Sequence, residues 1–520
     1  MRFMSPPPKV TIVNIFSRPY DNAVATARTC YSAHGIVLPE HVSKRPDVRD
    51  RIARSIYQAG HHTTFQHAHI QFAIENVSRH FVWTFLHSHP FYNSEQVSQR
   101  YVRVHPDQIV TPPLKGKALD VYRTTIATQV QAYRRLQELL EPVVERLYYR
   151  RFPARRPGPQ KISPHAQRWI PRKSQEVARY VLPVATMTYL YHTINLLTLL
   201  RYYRLSRQYD LPTETRCVVQ RMVDAVLSYD PDIERILEEP LPLEETLEYR
   251  YWQAFRHQPR WSQEFRREFD ASLGQRTSVL VSYKPENEAL VAQAVRDVLG
   301  LPKNRLGDDE AIALVLDPAR NSYLGESLNL TTISKLTRAL HHASYTFRKK
   351  LSHTADSQDQ RHRMTPGSRP MLSAYLSEEP DYITPILIRE EKKAHELYAT
   401  VMAQTWEGIN RLRALGVAEE YVSYLLPNAV SIRFMESADL LALHHKLRMR
   451  LCYNAQEEIW RASRDEALQI AQVNPTIGRY LGPPCAHRYA AGARPICPEG
   501  DRYCGVRVWT LSIEEYERII

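Results

Sequence analysis

The stretch EVARYVLPVATMTYLYHTINLLTLLRYYRLSRQYDLPTE (residues 176–214) recurs in altered form as EYVSYLLPNAVSIRFMESADLLALHHKLRMRLCYNAQEE (residues 420–458). The two align without a gap at a constant offset of 244 residues, and 11 of 39 positions are identical. Random pairing of ordinary compositions would give about two or three identities. The matches include Pro183 with Pro427 and Arg204 with Arg448. This level of identity predicts an internal duplication.

A second pair of segments extends the duplication toward the start of each half. VTIVNIFSRPYDNAVATAR begins at residue 10 and SVLVSYKPENEALVAQAVR at residue 278, and each reads as a strand, a proline-containing turn and a helix. Mixed strands and long helices follow in both halves, which predicts an α+β fold. We expect domains at 1–250 and 278–475, a polar linker at 251–277 and a cysteine-containing tail at 476–520.

Composition limits the class of protein. With 43% hydrophobic and 24% charged residues, the 520-residue chain reads as globular, and no signal peptide is expected. The longest uncharged stretch, 180–200, contains a proline and polar residues, so we expect a buried helix rather than a membrane span. The net charge of +13 favours anionic partners such as nucleotides, but no basic run is interleaved with aromatics, so nucleic acid is not expected. Six cysteines favour a reducing cytoplasm.

Histidines and cysteines suggest metal in two places. Seven histidines lie between residues 61 and 89 without a fixed metal spacing, so either a strand with one wet face or a zinc-dependent hydrolase could explain them. The tail carries four soft ligands within twenty residues, which predict either a structural zinc or inert thiols: Cys485, His487, Cys497 and Cys504.

Arginines and a short helical pattern suggest an anion site. The planar guanidinium group of arginine is suited to phosphate, and such groups occur in SQRY (98–101), in QDQRHR (358–363) and at positions 179 and 450. Surface ion pairs are the alternative explanation for these arginines. On a helix, residues 450, 454 and 458 share a face, so Glu458 can orient Arg450 or a neighbouring arginine, and an exposed helical ion pair is the alternative.

Together these motifs resemble those of the flavin-dependent thymidylate synthase (ThyX-like) family. The first half has ARTCY (27–31), GHHTTFQH (60–67), Ser78-Arg79, SQRY, ARYVLP (178–183) and Asn195. The second half has RHR (361–363), LLP (425–427) and Arg450 followed by AQEEI (455–459). The resemblance covers most of both halves and implies two ThyX-like domains in tandem, each a mixed or antiparallel sheet packed with long helices.

The two halves depart from the family pattern in complementary ways. Only the first half retains Ser98, Arg100, Arg179 and Asn195; only the second retains Gln358, Arg361, His362, Arg363, Arg450, Gln456 and Glu458. At the offset of 244 residues, Ser206 matches Arg450 and Pro212 matches Gln456. Likewise, Ser423 matches Arg179 and Asp439 matches Asn195. Since the resemblance implies homotetramers with sites between subunits, we hypothesise that one composite site is divided between the halves and that its mirror-related site has decayed.

The resemblance also implies the chemistry. FAD would pass reducing equivalents from NADPH, methylenetetrahydrofolate would supply the carbon, and dUMP would become dTMP. Arg450, oriented by Glu458 and assisted by Gln456, would favour the anionic uracil as charge develops. The expected cofactor-binding residues are His61, Thr63, Arg361, His362, Arg363 and Asn195. The expected substrate-binding residues are Ser98, Arg100, Arg179, Gln358 and Arg450. We expect a homodimer of tandem chains, and the alternative is a catalytically lapsed nucleotide- or flavin-binding paralogue.

Overall fold

The computed structural model describes residues 4–87, 89–153, 164–207, 210–255 and 259–518. Ser88, residues 154–163 of an arginine-rich segment and residues 256–258 of the predicted linker lie outside the described residues. Where the sequence predicts a polar linker, at 251–277, the structure has two helices, Leu247–Phe255 and Pro259–Leu273, over much of the segment. The domain boundaries themselves stay a prediction.

Two antiparallel four-stranded sheets with the same strand order form the framework. The strands of the first sheet are β1 (Lys9–Ile15), β2 (His69–Ser78), β3 (Asn93–Gln96) and β4 (Met187–Asn195), in the order β1-β2-β4-β3. Those of the second are β5 (Ser278–Tyr283), β6 (Ser344–Ser352), β7 (Gly367–Ser368) and β8 (Ser431–Asp439), in the order β5-β6-β8-β7. This repetition confirms the α+β class and the tandem duplication.

Helices surround both sheets. Those before β5 are α1 (Pro19–Thr29), α2 (Pro39–Ser43), α3 (Pro46–Gln58), α4 (Arg79–His87), α5 (Gly116–Arg151), α6 (Pro164–Ala178), α7 (Leu196–Arg204), α8 (Pro212–Tyr229), α9 (Leu247–Phe255) and α10 (Pro259–Leu273). Those after β5 are α11 (Asn287–Leu299), α12 (Asp308–Leu316), α13 (His353–Asp359), α14 (Ile386–Arg389), α15 (Lys392–Ala414), α16 (Glu419–Val422), α17 (Leu440–Arg450), α18 (Glu457–Val473), α19 (Pro475–Gly478) and α20 (Pro484–Ala490). Within the described ranges, no helix is long and apolar enough to cross a membrane.

The long helices α5 and α15 pack against each other and join the halves. At Gly408 of α15 a Cβ would overlap Thr125 Oγ1 of α5, so the close approach requires glycine there. Gln129 of α5 donates to the Leu425 carbonyl at 2.9 Å. One continuous apolar core contains buried side chains from both halves, among them Leu136 and Trp406. The halves are therefore packed as one folded unit.

The backbone at Pro183 and Pro427 relates the halves by an approximate two-fold axis. Val184 N donates to Leu426 O at 2.8 Å, and Asn428 N donates to Leu182 O at 2.7 Å. The two bonds are equivalent under the duplication, because Asn428 is the counterpart of Val184 and Leu426 is the counterpart of Leu182 at the offset of 244 residues. Pro183 and Pro427 themselves form an antiparallel β-bridge. Each half therefore presents the same surface to the other, as subunits do in a symmetric homodimer.

Two buried carboxyl groups repeat this symmetry. Glu214 accepts hydrogen bonds from Ser78 N and Ser78 Oγ, both at 2.7 Å, and from the Tyr424 hydroxyl of the other half. Glu458 accepts equivalent bonds from Ser352 N and Oγ and, at 2.6 Å, from the Tyr180 hydroxyl. Each carboxyl group thus connects a strand end of its own half to a tyrosine of the other.

The halves differ in the core beside β4 and β8. In the first half the Phe85 and Tyr202 rings lie 4.4 Å apart, and His192 Nε2 contacts the Tyr202 hydroxyl at 3.1 Å. At the positions matching His192 and Tyr202, the second half has Glu436 and Lys446, which belong to a fully buried ionic network. The network's other members include Lys349, Asp359 and Glu466. An aromatic cluster in one half is therefore matched by charges in the other.

The predicted helix at 180–200 is wrong. A short 3-10 turn, Arg179–Val181, is followed by strand β4 and then by α7. In β4, Leu190, His192 and Ile194 are buried, whereas Tyr189 and Tyr191 are exposed. Alternate burial of this kind is the period of a strand, and the threonines and tyrosines among these residues favour it.

Candidate active site between the halves

Gln456 lies where the two halves meet and joins residues from both. Its Oε1 accepts a hydrogen bond from Arg179 Nη2 of the first half at 2.9 Å and another from Gln358 Nε2 of the second. Its Nε2 donates to the Tyr180 hydroxyl. One buried amide thus brings Arg179 and Gln358, 179 residues apart in the chain, to the same place.

Arg100 reaches this place from the loop that follows β3. Its Nε forms an ion pair with Glu176, and its Nη2 donates to the Asn454 carbonyl at 2.7 Å. Glu176 also accepts from Lys173 Nζ at 2.8 Å. Burial opposes ionisation of Glu176, but Arg100 and Lys173 outweigh it and hold the pKa of this carboxyl below its ordinary value. Ser98 is local to the loop, where its Oγ accepts from Arg100 N at 3.3 Å.

Arg450 lies beside these groups without an ion pair in the described part of the chain. Its Nε donates to His362 Nε2 at 2.9 Å, and its Nη2 donates to the Gln358 carbonyl at 2.6 Å. The pKa of Arg450 is lowered to about 10, because burial and the nearby cations Arg100 and Arg361 lower it by more than Asp359 raises it. Burial and Arg450 keep the pKa of His362 well below its usual range, so this imidazole is neutral and can accept.

The remaining arginines of the RHR triplet lie at the surface against the first half. Arg361 Nη2 contacts Glu95, a weak exposed ion pair. Arg363 donates to the Pro90 carbonyl at 3.2 Å and to Asn93 Oδ1 at 3.0 Å. The triplet of one half therefore lies on the loop and short strand that precede SQRY in the other.

The mirror-related position has a different set of residues. Ser206 and Ser423 stand where the offset places counterparts of Arg450 and Arg179, and Ser423 Oγ bonds His80 Nε2 at 2.9 Å. Asp210, the counterpart of Asn454, accepts from Ser373 N and Oγ at 3.4 Å. Burial raises the pKa of Asp210 to about 6. The two cations that distinguish the first position are thus replaced by hydroxyls in the second.

The structure separates three predicted cofactor residues from this cluster. His61 and Thr63 are exposed at the 3-10 turn His62–Gln66, and Asn195 caps α7 by accepting from Thr198 N at 2.9 Å. All three lie near the end of β2 at which His69 pairs with Asn195. The cluster lies beyond the other end of β2, and ten strand residues span about 30 Å.

The predicted orientation of Arg450 by Glu458 is wrong. Helix α17 ends at Arg450 and α18 begins at Glu457, so residues 450, 454 and 458 do not share one helical face. Glu458 instead bonds Ser352 and Tyr180, and His362 with the Gln358 carbonyl holds Arg450. The chain turns at 451–456 because Asn454 and Gln456 bond groups of the other half and the tail.

The zinc set predicted in the tail is also not supported. Across the described residues, which include 476–518, no three His, Cys, Asp or Glu side chains are grouped to hold a metal ion. His487 Nε2 contacts the Tyr480 carbonyl at 2.9 Å, and its ring packs against His444. Cys485, Cys497 and Cys504 are free thiols, and burial raises the pKa of each.

Sequence reasoning missed several residues that shape the site. Glu176, Tyr180 and Asn454 contact Arg100 or Gln456 directly. Glu176 lies one helical turn before Arg179, and Asn454 lies inside the segment NAQEE. Their closeness in sequence to these predicted site residues could have identified them as part of the site. The tail lines a cavity of about 280 Å³ beside Arg100, which no motif indicated.

The titration of Glu458 provides a test of the interface between the halves. Burial raises the pKa of Glu458 to about 7, against hydrogen bonds from Ser352 and Tyr180 that lower it. Because the folded-state pKa is raised, this group's contribution to stability is fully present below its ordinary pKa and is lost as pH rises through 7. Between pH 4.5 and 7.5 we expect the wild type to lose about 3 kcal/mol of unfolding free energy that Glu458→Gln does not lose.

Chemical denaturation at a series of pH values measures this difference. Glu396→Gln, at an exposed helical pair with Lys392, is the matched control and should follow the wild type. Parallel curves for wild type and Glu458→Gln would show that Glu458 is ionised at neutral pH in the folded protein.

The fold and site define a tandem α+β protein with an arginine-rich cluster between its halves. Its sequence matches the family model for thymidylate synthase complementing protein at residues 11–232 and 279–476, most of the chain, and the chain belongs to that family. The flavin-dependent thymidylate synthase of Sulfurisphaera tokodaii is 27% identical over 208 residues, 40% of this chain and 77% of the relative. That of Geobacter sulfurreducens is 29% identical over 238 residues, 44% of this chain and 92% of the relative.

Solved structures with a partial likeness include the UMP/dUMP methylase PolB from Streptomyces cacaoi bound with 5-Br dUMP. It is 17% identical, with a TM-score of 0.30, over 44% of this chain and 93% of that chain.

Proposed function

We propose that this chain is a flavin-dependent thymidylate synthase with one composite site, built from Arg100 and Arg179 of the first half and Gln358, Arg450 and Gln456 of the second. The observation that carries the proposal is the excess of buried positive charge. Arg100, Lys173 and Arg179 surround one carboxylate, Glu176, and Arg450 lies near Arg100, with Asp359 the main charge that raises the pKa of Arg450. Buried charge without a counter-ion is costly, so this cluster is suited to an anionic ligand such as the phosphate of dUMP.

In this proposal each half supplies part of the binding chemistry. Arg100 and Arg179 hold the phosphate of dUMP through charge-assisted hydrogen bonds. Gln456 and Gln358 fix the position of Arg179 and of each other. Arg450, held by neutral His362, faces the uracil and stabilises negative charge as it develops there.

The exposed RHR arginines fit a flavin phosphate. The Arg361 side chain is 40% exposed and has only a weak ion pair, and the Arg363 guanidinium lies 5.3 Å from the Tyr92 ring centroid. When bound, FAD would carry reducing equivalents from NADPH to the pyrimidine, with the methyl carbon taken from methylenetetrahydrofolate. Since Arg361 and Arg363 lie at the surface and His61, Thr63 and Asn195 lie apart, we propose that a second chain completes the flavin site in a homodimer.

A flavin titration of the purified protein tests this proposal. We expect about one FAD per chain, a visible flavin spectrum that shifts when dUMP is added, and sedimentation as a dimer at micromolar concentration. Formation of dTMP from dUMP, methylenetetrahydrofolate and NADPH would follow. The matched variant Arg361→Gln should weaken FAD binding without changing the fold, because Arg361 is exposed.

Other outcomes separate the alternatives. Two FAD per chain would mean that the mirror-related site is also functional. Flavin and dUMP binding without dTMP formation would indicate a lapsed nucleotide- and flavin-binding paralogue. No binding of either ligand would contradict the proposed function.

A further inference from the structure

The C-terminal tail forms part of the cavity beside the composite site. The family match ends at residue 476, and the chain continues through α20 to the end of the described residues. Asn454, whose carbonyl accepts from Arg100, donates through Nδ2 to the Arg502 carbonyl at 2.7 Å. The Tyr516 ring packs against Tyr453 at 6.2 Å, and Arg464 donates to the Glu514 carbonyl at 3.0 Å. These contacts hold the tail against the turn at 451–456 and against helix α18.

Positive charge is concentrated on the walls of this cavity. Helix α6 contributes Arg172 and Lys173, the loop after β3 contributes Arg100, and the tail contributes Arg502. The acidic side chains on the same walls are Glu176, already paired with Arg100 and Lys173, and Glu499 and Asp501 of the tail. Arg168 and Arg518 also line the cavity, so its lining cations outnumber its carboxylates. The cavity volume of about 280 Å³ is large enough for a phosphoryl group with an attached sugar.

Three guanidinium groups from three separate segments surround the Tyr101 ring. Their central carbons lie 5.7 Å (Arg100), 5.7 Å (Arg172) and 5.8 Å (Arg502) from the ring centroid. In the described part of the chain, the guanidiniums of Arg172 and Arg502 have neither a hydrogen bond nor an ion pair. Like charges repel, so this arrangement is favourable when an anion lies between them.

We propose that Arg172 and Arg502 form an additional phosphate-binding wall and that the tail thereby makes the site select a phosphorylated nucleoside over the free nucleoside. This inference rests on the proposed function, because Arg100 belongs both to the composite site and to this wall. The ligand is a nucleoside monophosphate: its phosphate, held by Arg100 and Arg179, faces Arg172 and Arg502 on its other side, and the base extends toward Arg450. Arg502 contributes from outside the segment that matches the family.

Calorimetric titration of the full-length, flavin-loaded protein with dUMP and with deoxyuridine tests the wall. Arg502→Gln is expected to raise the Kd for dUMP about tenfold and to leave the Kd for deoxyuridine unchanged, because a hydrogen bond to a charged group is lost only with the phosphorylated ligand. Arg172→Gln should have the same effect. Arg507→Gln, an exposed tail arginine outside the cavity lining, should match the wild type for both ligands.

The outcomes distinguish this inference from the proposed function. If the wild type binds dUMP and Arg502→Gln binds it equally well, the phosphate wall is wrong and the composite site stands. If Arg502→Gln weakens dUMP and deoxyuridine equally, the tail only supports the fold and the wall is again wrong. If the wild type binds no dUMP, both ideas fail. FAD binding by each variant, measured from the flavin spectrum, verifies that the folded site is intact.

Discussion

Replacing Arg450 with glutamine is expected to reduce kcat for dTMP formation by about 10² to 10³, the loss typical of removing one preorganised charge-stabilising donor. Arg450 is a half-buried cation that makes no ion pair among the described residues, and His362 and the Gln358 carbonyl fix its direction. Because stabilisation is needed most where charge develops, kcat should fall more than KM for dUMP rises. Steady-state kinetics over a dUMP concentration series measure both constants.

The neighbouring arginine of the same helix provides the control. Arg448 donates to the Glu326 carbonyl at 3.2 Å, away from the cluster, so Arg448→Gln should retain kcat and KM. If Arg450→Gln kept the wild-type kcat, Arg450 would have no role in the chemical step. A rise in KM alone would reduce its role to uniform binding of the nucleotide.

Replacing Lys349 with methionine is expected to lower the free energy of unfolding by about 3 to 5 kcal/mol, because the change leaves buried Glu466 without its cation and leaves only Lys446 and Arg369 to neutralise Glu436 and Asp359. Lys349 Nζ lies 2.7 Å from Glu436, 2.6 Å from Glu466 and 3.6 Å from Asp359, and all four side chains are buried. Burial opposes the charge on Lys349, yet Asp359 and Glu436 outweigh it and keep its pKa well above the ordinary value. Equilibrium denaturation at neutral pH measures the loss.

The adjacent lysine serves as a matched control. Lys350 pairs with Asp270 at 2.7 Å on the outer face of the same strand, with its side chain 26% exposed. Lys350→Met should cost about 1 kcal/mol or less. If the two variants lost equal stability, the buried network would contribute no more than a surface ion pair. The loss in Lys349→Met should also shrink in acid, where the remaining carboxyl groups are protonated.

Local sequence patterns predicted some features well and others poorly. The β-branched runs and proline turns correctly indicated the start of each half, because strand and turn preferences act over a few residues. The uncharged stretch at 180–200 was misread, because its strand and helix are both buried and composition does not separate them. The helix continuing through residue 458 was also wrong, since contacts from the other half end it at Arg450.

The sequence by itself determined the duplication, the α+β class and the complementary division of motif residues between the halves, because identity at a constant offset needs no coordinates. Only the tertiary structure decided which groups meet. In the folded chain Arg179 donates a hydrogen bond to Gln456, and Glu458 accepts hydrogen bonds from Ser352 and Tyr180. The tail thiols are free, and Arg502 lies beside Tyr101. These pairings depend on packing between segments hundreds of residues apart, and spacing along the chain carries no information about such contacts.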